Sequence, residues 1–358
     1  MQVEHRSFLL SGESLQDIIH EIGVDRIMDE LIERTFNSFV DFDKNNTVIP
    51  VRTGFNYTEP KEGLIEWMPI RDISQREVLL KVVGYHPQNP ESYQLPTVIS
   101  TLSKYDTATG HLEAILDGVL PTSLRTGAIS AIASKLFGNP ESKVLGLIGC
   151  GAQAITQLHA LSRVFDFEKV IYFDTNAVVL NSFQERTSML GLDIIYQSST
   201  IEEIIQSADI LSTATSIAVN EGPLFEYTTA KSWLHINAVG SDFPGKIELP
   251  KTLLEKSYVS PDFLEQAIIE GECQQLTENQ IGDDIIKCLN NANNLQHLKN
   301  ELTVFDSTGM ALQDQIVADM FITLAKKLGK GQYINLENLN SEAQNPYSFL
   351  VQSKMIES

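Results

Sequence analysis

Residues 143–154, KVLGLIGCGAQA, are the stretch from which the fold of this chain is predicted. An apolar run, VLGLI, leads into a glycine turn, and a helix is predicted to follow. A strand, a tight turn and a helix in this order direct free backbone N–H groups and the positive end of the helix dipole at a pyrophosphate. Gly149 permits the turn, Gly151 lets the phosphates approach the backbone, and Ala154 is small where helix and strand pack. The stretch predicts a dinucleotide site in mid-chain.

Asp174 supports this prediction because it ends the next apolar run, KVIYFD, roughly 20 residues on, where an acid can hydrogen-bond the ribose hydroxyls. A carboxylate there repels a 2′-phosphate, and Thr175 and Asn176 supply no cation to receive one. The sequence therefore favours NAD(H) over NADP(H). The alternative is that Asp174 only caps the helix AVVLNSFQERTSML, which Thr175 or Asn176 could cap equally well.

Composition limits the remaining possibilities. With 358 residues, 42% of them hydrophobic, the chain can bury a large core and is expected to form two domains. A net charge of −21 argues against DNA, RNA or an anionic membrane as partner. Three cysteines without paired spacing, no signal-like N-terminus and no apolar run near about 18 residues favour a cytoplasmic protein without a membrane span.

The first part of the chain has an α+β pattern. A helix is predicted over about residues 14–39, and five strands follow within VIPVRTGF, GLIEWMP, EVLLKVVGY, PTVISTLSKYD and HLEAILDG. The hydroxyl residues after Pro121 are then predicted to open a helix of small residues, LRTGAISAIASKLFG, that stops at Gly138.

From about residue 143 strands and helices alternate, which predicts a parallel, doubly wound sheet. After FDSTG (305–309), a long helix, ALQDQIVADMFITLAKKLG, is predicted to return to the first domain. The fold class is therefore α/β: a Rossmann-type domain over residues 139–310, and an α+β substrate-binding domain formed by residues 1–138 with 311–358.

Four charged residues of the first domain stand in apolar settings. Lys81 shares a strand face with Leu79 and Val83, so it either protects a sheet edge or points at an anion. Arg52 and Arg125 are further cations, each with a surface ion pair as the alternative. Three such cations would suit one carboxylate.

Glu66 lies on one strand face with Leu64 and Met68, and could meet a substrate ammonium or form a structural salt bridge. Asp242 follows the strand WLHINAVG, and ligands of doubly wound sheets bind beyond the carboxyl ends of strands. Its alternative role is an Asx turn ahead of Pro244. The cysteines, the seven histidines and the acids show no metal-ligand spacing, so no metal site is predicted.

These residues together resemble the ornithine cyclodeaminase/μ-crystallin family, and most closely its bacterial ornithine cyclodeaminases. The resemblance covers nearly the whole chain and rests on HEIGVDRIMDEL, GLIEWMP, KVVGYHPQN, SLRTGAIS, GCGAQA, HINAVGSDFPGKIEL, IEGECQQL and FDSTGMALQD. IEGECQQL and the tail NPYSFL resemble the cyclodeaminase branch more than the alanine dehydrogenase branch. Cys150, Ser241 and Trp67 depart from the family pattern but remove no charged group.

The resemblance implies a homodimer formed through the first domain, and a Rossmann domain that carries NAD. It implies that Arg52, Lys81 and Arg125 bind the substrate carboxylate and that Asp242 is an acid–base group; Glu66 is the fourth residue expected to bind substrate. The residues expected to bind the cofactor are Thr97, Arg125, Gly149, Gly151, Ala152, Gln153, Asp174, Thr215, Asn237, Ala238, Val239, Lys246 and Ser307.

The expected activity is conversion of L-ornithine to L-proline and ammonia with NAD recycled in each turnover, a step of proline biosynthesis. Three related activities use the same site: an alanine-type dehydrogenase, a lysine cyclodeaminase and a cyclic ketimine reductase. A protein that only binds NAD(P)H, like some μ-crystallin relatives, is an alternative of a different class.

Overall fold

The structure is a computed structural model that describes residues 5–226, 230–339 and 342–350. The first part of the chain forms, in order, β1 (Ser7–Leu10), α1 (Gly12–Ile22), α2 (Val24–Val40), β2 (Thr47–Val48), β3 (Thr53–Tyr57), β4 (Gly63–Asp72), β5 (Glu77–Tyr85), α3 (Asn89–Tyr93), β6 (Val98–Asp106), β7 (Leu112–Asp117) and α4 (Val119–Phe137).

The second part continues with β8 (Val144–Ile148), α5 (Ala152–Ser162), β9 (Lys169–Phe173), α6 (Ala177–Arg186), β10 (Ile195–Ser198), α7 (Ile201–Ser207), β11 (Ile210–Thr213), β12 (His235–Ala238), α8 (Lys251–Leu254), β13 (Tyr258–Pro261), α9 (Leu264–Glu270), α10 (Ile285–Asn290), β14 (Thr303–Asp306), α11 (Ala311–Leu328) and β15 (Gln332–Ile334). Short 3₁₀ helices cover Ser188–Leu190, Glu272–Gln275, Glu278–Gln280 and Ala292–Asn300.

The first sheet has the strand order β15-β1-β7-β6-β5-β4-β2, with β3 also paired to β4. Most neighbours are antiparallel, and β5 lies inside the sheet between β4 and β6. Lys81 is therefore paired on both sides, opposite Met68 and Leu102. This excludes the alternative in which Lys81 protects a sheet edge.

The second sheet contains seven parallel strands in the order β10-β9-β8-β11-β12-β14-β13. The predicted doubly wound fold is thus confirmed. Strand order reverses between β8 and β11, and the crevice at such a switch point is where ligands bind in open parallel sheets. The glycine turn follows β8 and lies at this point.

Helix α4 joins the two sheets because it packs against β6 of the first and against α5, β12 and β14 of the second. At Gly127, helices α4 and α5 lie so close together that a Cβ atom on this residue would be 2.5 Å from the Thr156 carbonyl oxygen. Helix α11 returns to the first sheet and packs on α1, α2, α4, β4 and β5. The domain division at residue 138 stays a prediction, and its outer ends, residues 1–4 and 351–358, lie outside the described residues.

Two predicted elements are interrupted in the structure. The helix expected over residues 14–39 is two helices, because Gly23 between them has φ 96°, a conformation that breaks helical geometry. The run VIPVRTGF is not one strand, since residues 49–52 separate β2 from β3. Arg52 is consequently on a connecting segment and not within a strand.

Helix α4 begins earlier than predicted, at Val119, with Pro121 in its first turn, where a missing N–H costs no helical hydrogen bond. The hydroxyl groups expected to cap it bond elsewhere: Thr122 Oγ1 pairs with Ser100 Oγ at 3.1 Å, and Ser123 Oγ donates to the Val119 carbonyl at 3.1 Å. The predicted end at Gly138 agrees with the structure.

Candidate active site

The glycine turn between β8 and α5 has the geometry of an anion site. Gly149 has φ 90°, and a Cβ there would lie 2.6 Å from the Ala214 carbonyl oxygen. A Cβ on Gly151 would meet nothing within 4 Å, so the chain is open on that side. Helix α5 starts at Ala152, and among the described residues no side chain caps it. Its first N–H groups can therefore receive a phosphate.

Asp174 lies beside this turn. Its Oδ2 accepts a 2.7 Å hydrogen bond from the Cys150 N–H, and its Oδ1 accepts one of 2.8 Å from the Asn176 N–H. Asn176, and not Asp174, caps α6, by accepting from the N–H groups of Val178 and Val179. The Asp174 carboxylate is thus placed at the glycine turn, where a ribose would lie, and the capping alternative does not hold.

Arg186 also contacts the turn, and sequence reasoning missed it. Its Nη2 donates to the Cys150 carbonyl at 2.6 Å and to the Val179 carbonyl at 3.0 Å. The turn is therefore held through its N–H by Asp174 and through its carbonyl by Arg186. Arg186 ends α6 and reaches the turn only because that helix packs back on it, so no local sequence signal reveals it.

A cavity beyond the carboxyl ends of β8, β12 and β14 collects eight of the seventeen predicted site residues. Its walls come from both sheets, from the start of α4 and from the loops after β12 and β14. The predicted site residues that line it are Arg52, Glu66, Lys81, Arg125, Gln153, Val239, Asp242 and Ser307; its other walls include Leu64, Met68, Val83, Tyr85, Val98, Thr122, Thr126, Phe243, Thr308 and Gly309.

Lys81 and Arg125 share one acidic partner, Asp314, which sequence reasoning also missed. Lys81 Nζ lies 2.9 Å from Oδ1 and 2.8 Å from Oδ2 of Asp314, and Arg125 Nε lies 3.3 Å from Oδ1. Burial lowers the pKa of Lys81 to about 8; Asp314 opposes this effect and Arg125 adds to it. Both cations are buried, yet both reach the cavity.

The Arg125 guanidinium is held on two further sides. Its Nη1 donates a 2.8 Å hydrogen bond to Gln313 Oε1. Gly309 packs against it so closely that a Cβ would lie 2.9 Å from both Nη1 and Nη2. Gly309 also has φ +91°, which favours glycine. Gly309, the last residue of FDSTG, therefore contributes to the site by leaving room for the Arg125 guanidinium.

Arg52 is surrounded by acceptors and is not a free cation. It forms a short ion pair with Glu270, its Nε lies 3.6 Å from Glu66 Oε2, and its Nη2 donates a 2.9 Å hydrogen bond to the Asp242 carbonyl. Burial acts to lower the pKa of Arg52, but Glu270 and Glu66 outweigh it and the pKa is raised. Burial raises the pKa of Glu270 to about 7, although Arg52 opposes it.

Asp242 is more accessible than these groups, with its side chain 37% exposed. Its Oδ1 lies 2.8 Å from Lys246 Nζ, and that ammonium lies 4.8 Å from the centre of the Tyr85 ring. Two acidic side chains line the cavity, Asp242 and Glu66. In the described part of the chain the Asp242 carboxylate bonds to Lys246 and not to turn backbone, so the Asx-turn alternative does not hold.

Glu248 fixes the loops on which Asp242 and Thr215 lie. This fully buried carboxylate accepts from the Thr213 hydroxyl at 2.6 Å, from the N–H and hydroxyl of Thr215 at 2.7 Å each, and from the Gly240 N–H at 2.9 Å. Burial raises the pKa of Glu248, and these hydrogen bonds oppose the shift. One side chain thus joins the ends of β11 and β12.

Three expected residues lie near the cavity without lining it. The Thr97 carbonyl accepts a 2.8 Å hydrogen bond from His86 N–H, next to the lining residue Val98. Asn237 is fully buried and its Nδ2 donates to Ser134 Oγ of α4 at 2.9 Å. Ala238 ends β12, and its carbonyl accepts a 2.9 Å hydrogen bond from Ser307 N–H.

The described residues contain no group of three or more His, Cys, Asp or Glu side chains placed to hold a metal ion. Within the same residues no helix is both long and apolar enough to cross a membrane.

Comparison with known sequences supports a family assignment. Residues 13–327 match the family model of the ornithine cyclodeaminase/mu-crystallin family. The L-lysine cyclodeaminase of Streptomyces rapamycinicus is 36% identical over 341 residues, 95% of this chain and 98% of that protein. The ornithine cyclodeaminase of Agrobacterium tumefaciens is 29% identical and matches 85% of this chain and 83% of its own length. Both kinds of cyclodeaminase are thus among its relatives, and of these two the lysine cyclodeaminase is the more similar.

Two solved structures share the fold along nearly their whole length. A lysine cyclodeaminase, studied for its recognition of L-lysine, L-ornithine and L-2,4-diaminobutyric acid, superimposes with a TM-score of 0.92 at 39% identity, covering 96% of this chain and 99% of that one. An archaeal alanine dehydrogenase dimer with bound NAD gives a TM-score of 0.80 at 30% identity, covering 93% and 100%.

Proposed function

Since this chain belongs to the ornithine cyclodeaminase/mu-crystallin family, we propose that it is an NAD-dependent cyclodeaminase of a basic L-amino acid, and that it converts L-ornithine to L-proline and ammonia. The observation that carries this proposal is the single cavity in which Lys81, Arg125, Glu66 and Asp242 meet beside the glycine turn.

The predicted cofactor, NAD, is confirmed by the relatives of this fold, among them the alanine dehydrogenase with bound NAD. The residues present fit it: the uncapped start of α5 and the open side of Gly151 suit the pyrophosphate, and Asp174 suits the ribose. When bound, NAD supplies reversible removal and return of a hydride at the substrate α-carbon.

The cations of the cavity bind the substrate carboxylate. Lys81 and Arg125 both line the cavity, and both contact Asp314. Two positive charges and one negative charge leave a net positive charge of one, which matches one substrate carboxylate. Arg52 adds positive charge but its main contacts orient Glu270 and the Asp242 loop. Together these groups fix the α-carbon against the nicotinamide side of the cavity.

The acids of the cavity act on the amine groups. Glu66 attracts the δ-ammonium, and Asp242 takes a proton from it, so that the neutral δ-amine can attack the oxidised α-carbon. The new N–Cα bond replaces the bond to the α-nitrogen, which leaves as ammonia, and a cyclic imine remains to be reduced to L-proline. Holding amine and imine together makes ring closure intramolecular, an advantage of up to ~7–11 kcal/mol in well-oriented cases.

L-Lysine is the second candidate substrate, and it would give the six-membered ring acid. The higher identity to a lysine cyclodeaminase than to the ornithine cyclodeaminase favours it. The two substrates differ by one methylene, which changes discrimination by only ~1–3 kcal/mol. The homodimer, the cytoplasmic location and a role in proline biosynthesis stay predictions.

The test is incubation of the purified protein with NAD and L-ornithine, L-lysine, L-alanine or 2,3-diaminopropionate, with product identification and an ammonia assay. A cyclodeaminase releases ammonia and a cyclic amino acid without net NADH. Net NADH with an oxo acid would show a dehydrogenase instead. NADH consumption with a cyclic imine alone would show a ketimine reductase, and binding of the cofactor without turnover would favour a binding protein.

A further inference from the structure

Asp314 occupies a position behind the cavity that its local sequence does not explain. It lies in the first turn of α11, its side chain is fully buried, and it does not line the cavity. Both its oxygens lie within 3 Å of Lys81 Nζ, on β5, and its Oδ1 is 3.3 Å from Arg125 Nε, on α4. Asp314 therefore contacts two cations that come from two different elements.

Without a bridging carboxylate, this arrangement of cations would be unfavourable. Lys81 and Arg125 are buried, and like charges in a desolvated place repel strongly. Asp314 offsets one of the two charges, and it lies near the N-terminus of α11, where the helix dipole attracts a carboxylate. One net positive charge then remains, on two groups whose spacing is fixed.

We propose that Asp314 is the positioning residue that holds Lys81 and Arg125 side by side, so that the pair receives one substrate carboxylate. The inference rests on the proposed function only in assigning Lys81 and Arg125 to that carboxylate. Asp314 contacts neither substrate nor cofactor and acts through the two cations.

A purely architectural ion pair is the competing explanation, and the same helix offers a matched control. Asp319, five residues along α11, lies 2.7 Å from Lys104 Nζ and also ties the helix to the first sheet. That pair is outside the cavity. If Asp314 only fastened α11 to the sheet, Asp314→Asn and Asp319→Asn would have the same kind of effect.

The first experiment compares steady-state kinetics of the full-length protein with NAD and whichever amino acid it turns over, since every candidate has an α-carboxylate. We expect Asp314→Asn to raise KM for the amino acid about 10-fold to 100-fold, the range for lost charge-assisted hydrogen bonds. NAD affinity should change little, and Asp319→Asn should leave KM unchanged. Equal KM values for the two variants would overturn the proposal.

The second experiment does not depend on turnover. The charged groups that face Lys81 are Asp314 from α11, Arg125 from α4, and Arg52 and Glu66 across the cavity. Asp314→Asn leaves the Lys81 ammonium buried without its partner, a cost that disappears once the amine is neutral. The drop in thermal unfolding midpoint should therefore be large at pH 6 and shrink above about pH 8.

In a Lys81→Met background the same substitution should give a drop that does not vary with pH. A pH-independent drop in the parent background would contradict the assigned ion pair. If the protein turns over none of the amino acids offered, the proposed function fails, while this unfolding comparison still decides whether Asp314 holds Lys81.

Discussion

The Arg52 guanidinium donates a 2.9 Å hydrogen bond to the backbone carbonyl of Asp242, which lies 190 residues later in the chain. A cation on the segment between β2 and β3 thereby holds the loop after β12, which carries the proposed acid–base group. The proposed substrate binding and the proposed proton transfer are linked through one side chain, and substitutions at Arg52 should disturb both.

Replacement of Arg52 by Met should lower the free energy of unfolding by about 3–5 kcal/mol, because it leaves Glu270 buried without its partner. The pKa of Glu270 is already raised to about 7 by burial and would rise further without Arg52. A raised pKa favours the neutral acid, so the loss should be smaller at pH 6 than at pH 8. Urea denaturation at both pH values measures this, and Arg52→Met with Glu270→Gln should recover part of the stability; no recovery would argue against the pair.

Replacement of Asp242 by Asn should lower kcat about 10²-fold to 10⁴-fold, the range for loss of a general acid–base group. NAD affinity should be nearly unchanged, since Asp242 pairs with Lys246 and not with the glycine turn. Asp166→Asn is the control, because the Asp166 side chain is 99% exposed and does not line the cavity. Full activity of the Asp242 variant would exclude an acid–base role.

Replacement of Asp174 by Ser should weaken NAD binding about 10-fold to 100-fold, through loss of charge-assisted hydrogen bonds at the turn and the ribose. The preference for NAD over NADP should narrow, because the carboxylate that repels a 2′-phosphate is gone. Fluorescence titration with NADH and NADPH measures both effects, with the exposed Asp193→Ser as control. An unchanged ratio of the two affinities would rule out Asp174 as the selectivity residue.

Replacement of Gly309 by Ala should raise KM for the amino acid, because the added Cβ would lie 2.9 Å from both terminal nitrogens of Arg125. Gly110→Ala is a matched control: Gly110 also has positive φ, +80°, but a Cβ there meets nothing within 4 Å. Both variants should lose stability from backbone strain. If KM rises equally in both, displacement of Arg125 is not the cause.

Several features of the fold follow from local sequence. The alternation of apolar strands and helices after residue 143 predicted the parallel sheet, and Gly149 and Gly151 predicted the turn between β8 and α5. The alternation of residues along β5 predicted that Lys81 shares a strand face with Leu79 and Val83, and all three side chains are buried. Local rules failed at Gly23, which divides one apolar helical pattern into two helices.

Local sequence patterns, with the family resemblance, predicted which side chains carry the proposed chemistry, because periodicity and glycine spacing act within a few residues of the chain. They did not show that Arg52 faces Glu270, or that Lys81 and Arg125 share Asp314. Those partners are far apart in sequence. The packing of α11 on α4 and on the first sheet brings Asp314 to Lys81 and Arg125, and Arg52 meets Glu270 where the segment before β3 contacts the end of α9. Burial in turn shifts the pKa of Lys81 and of Glu270, since it depends on the surroundings of each side chain in the folded protein and not on its neighbours in sequence.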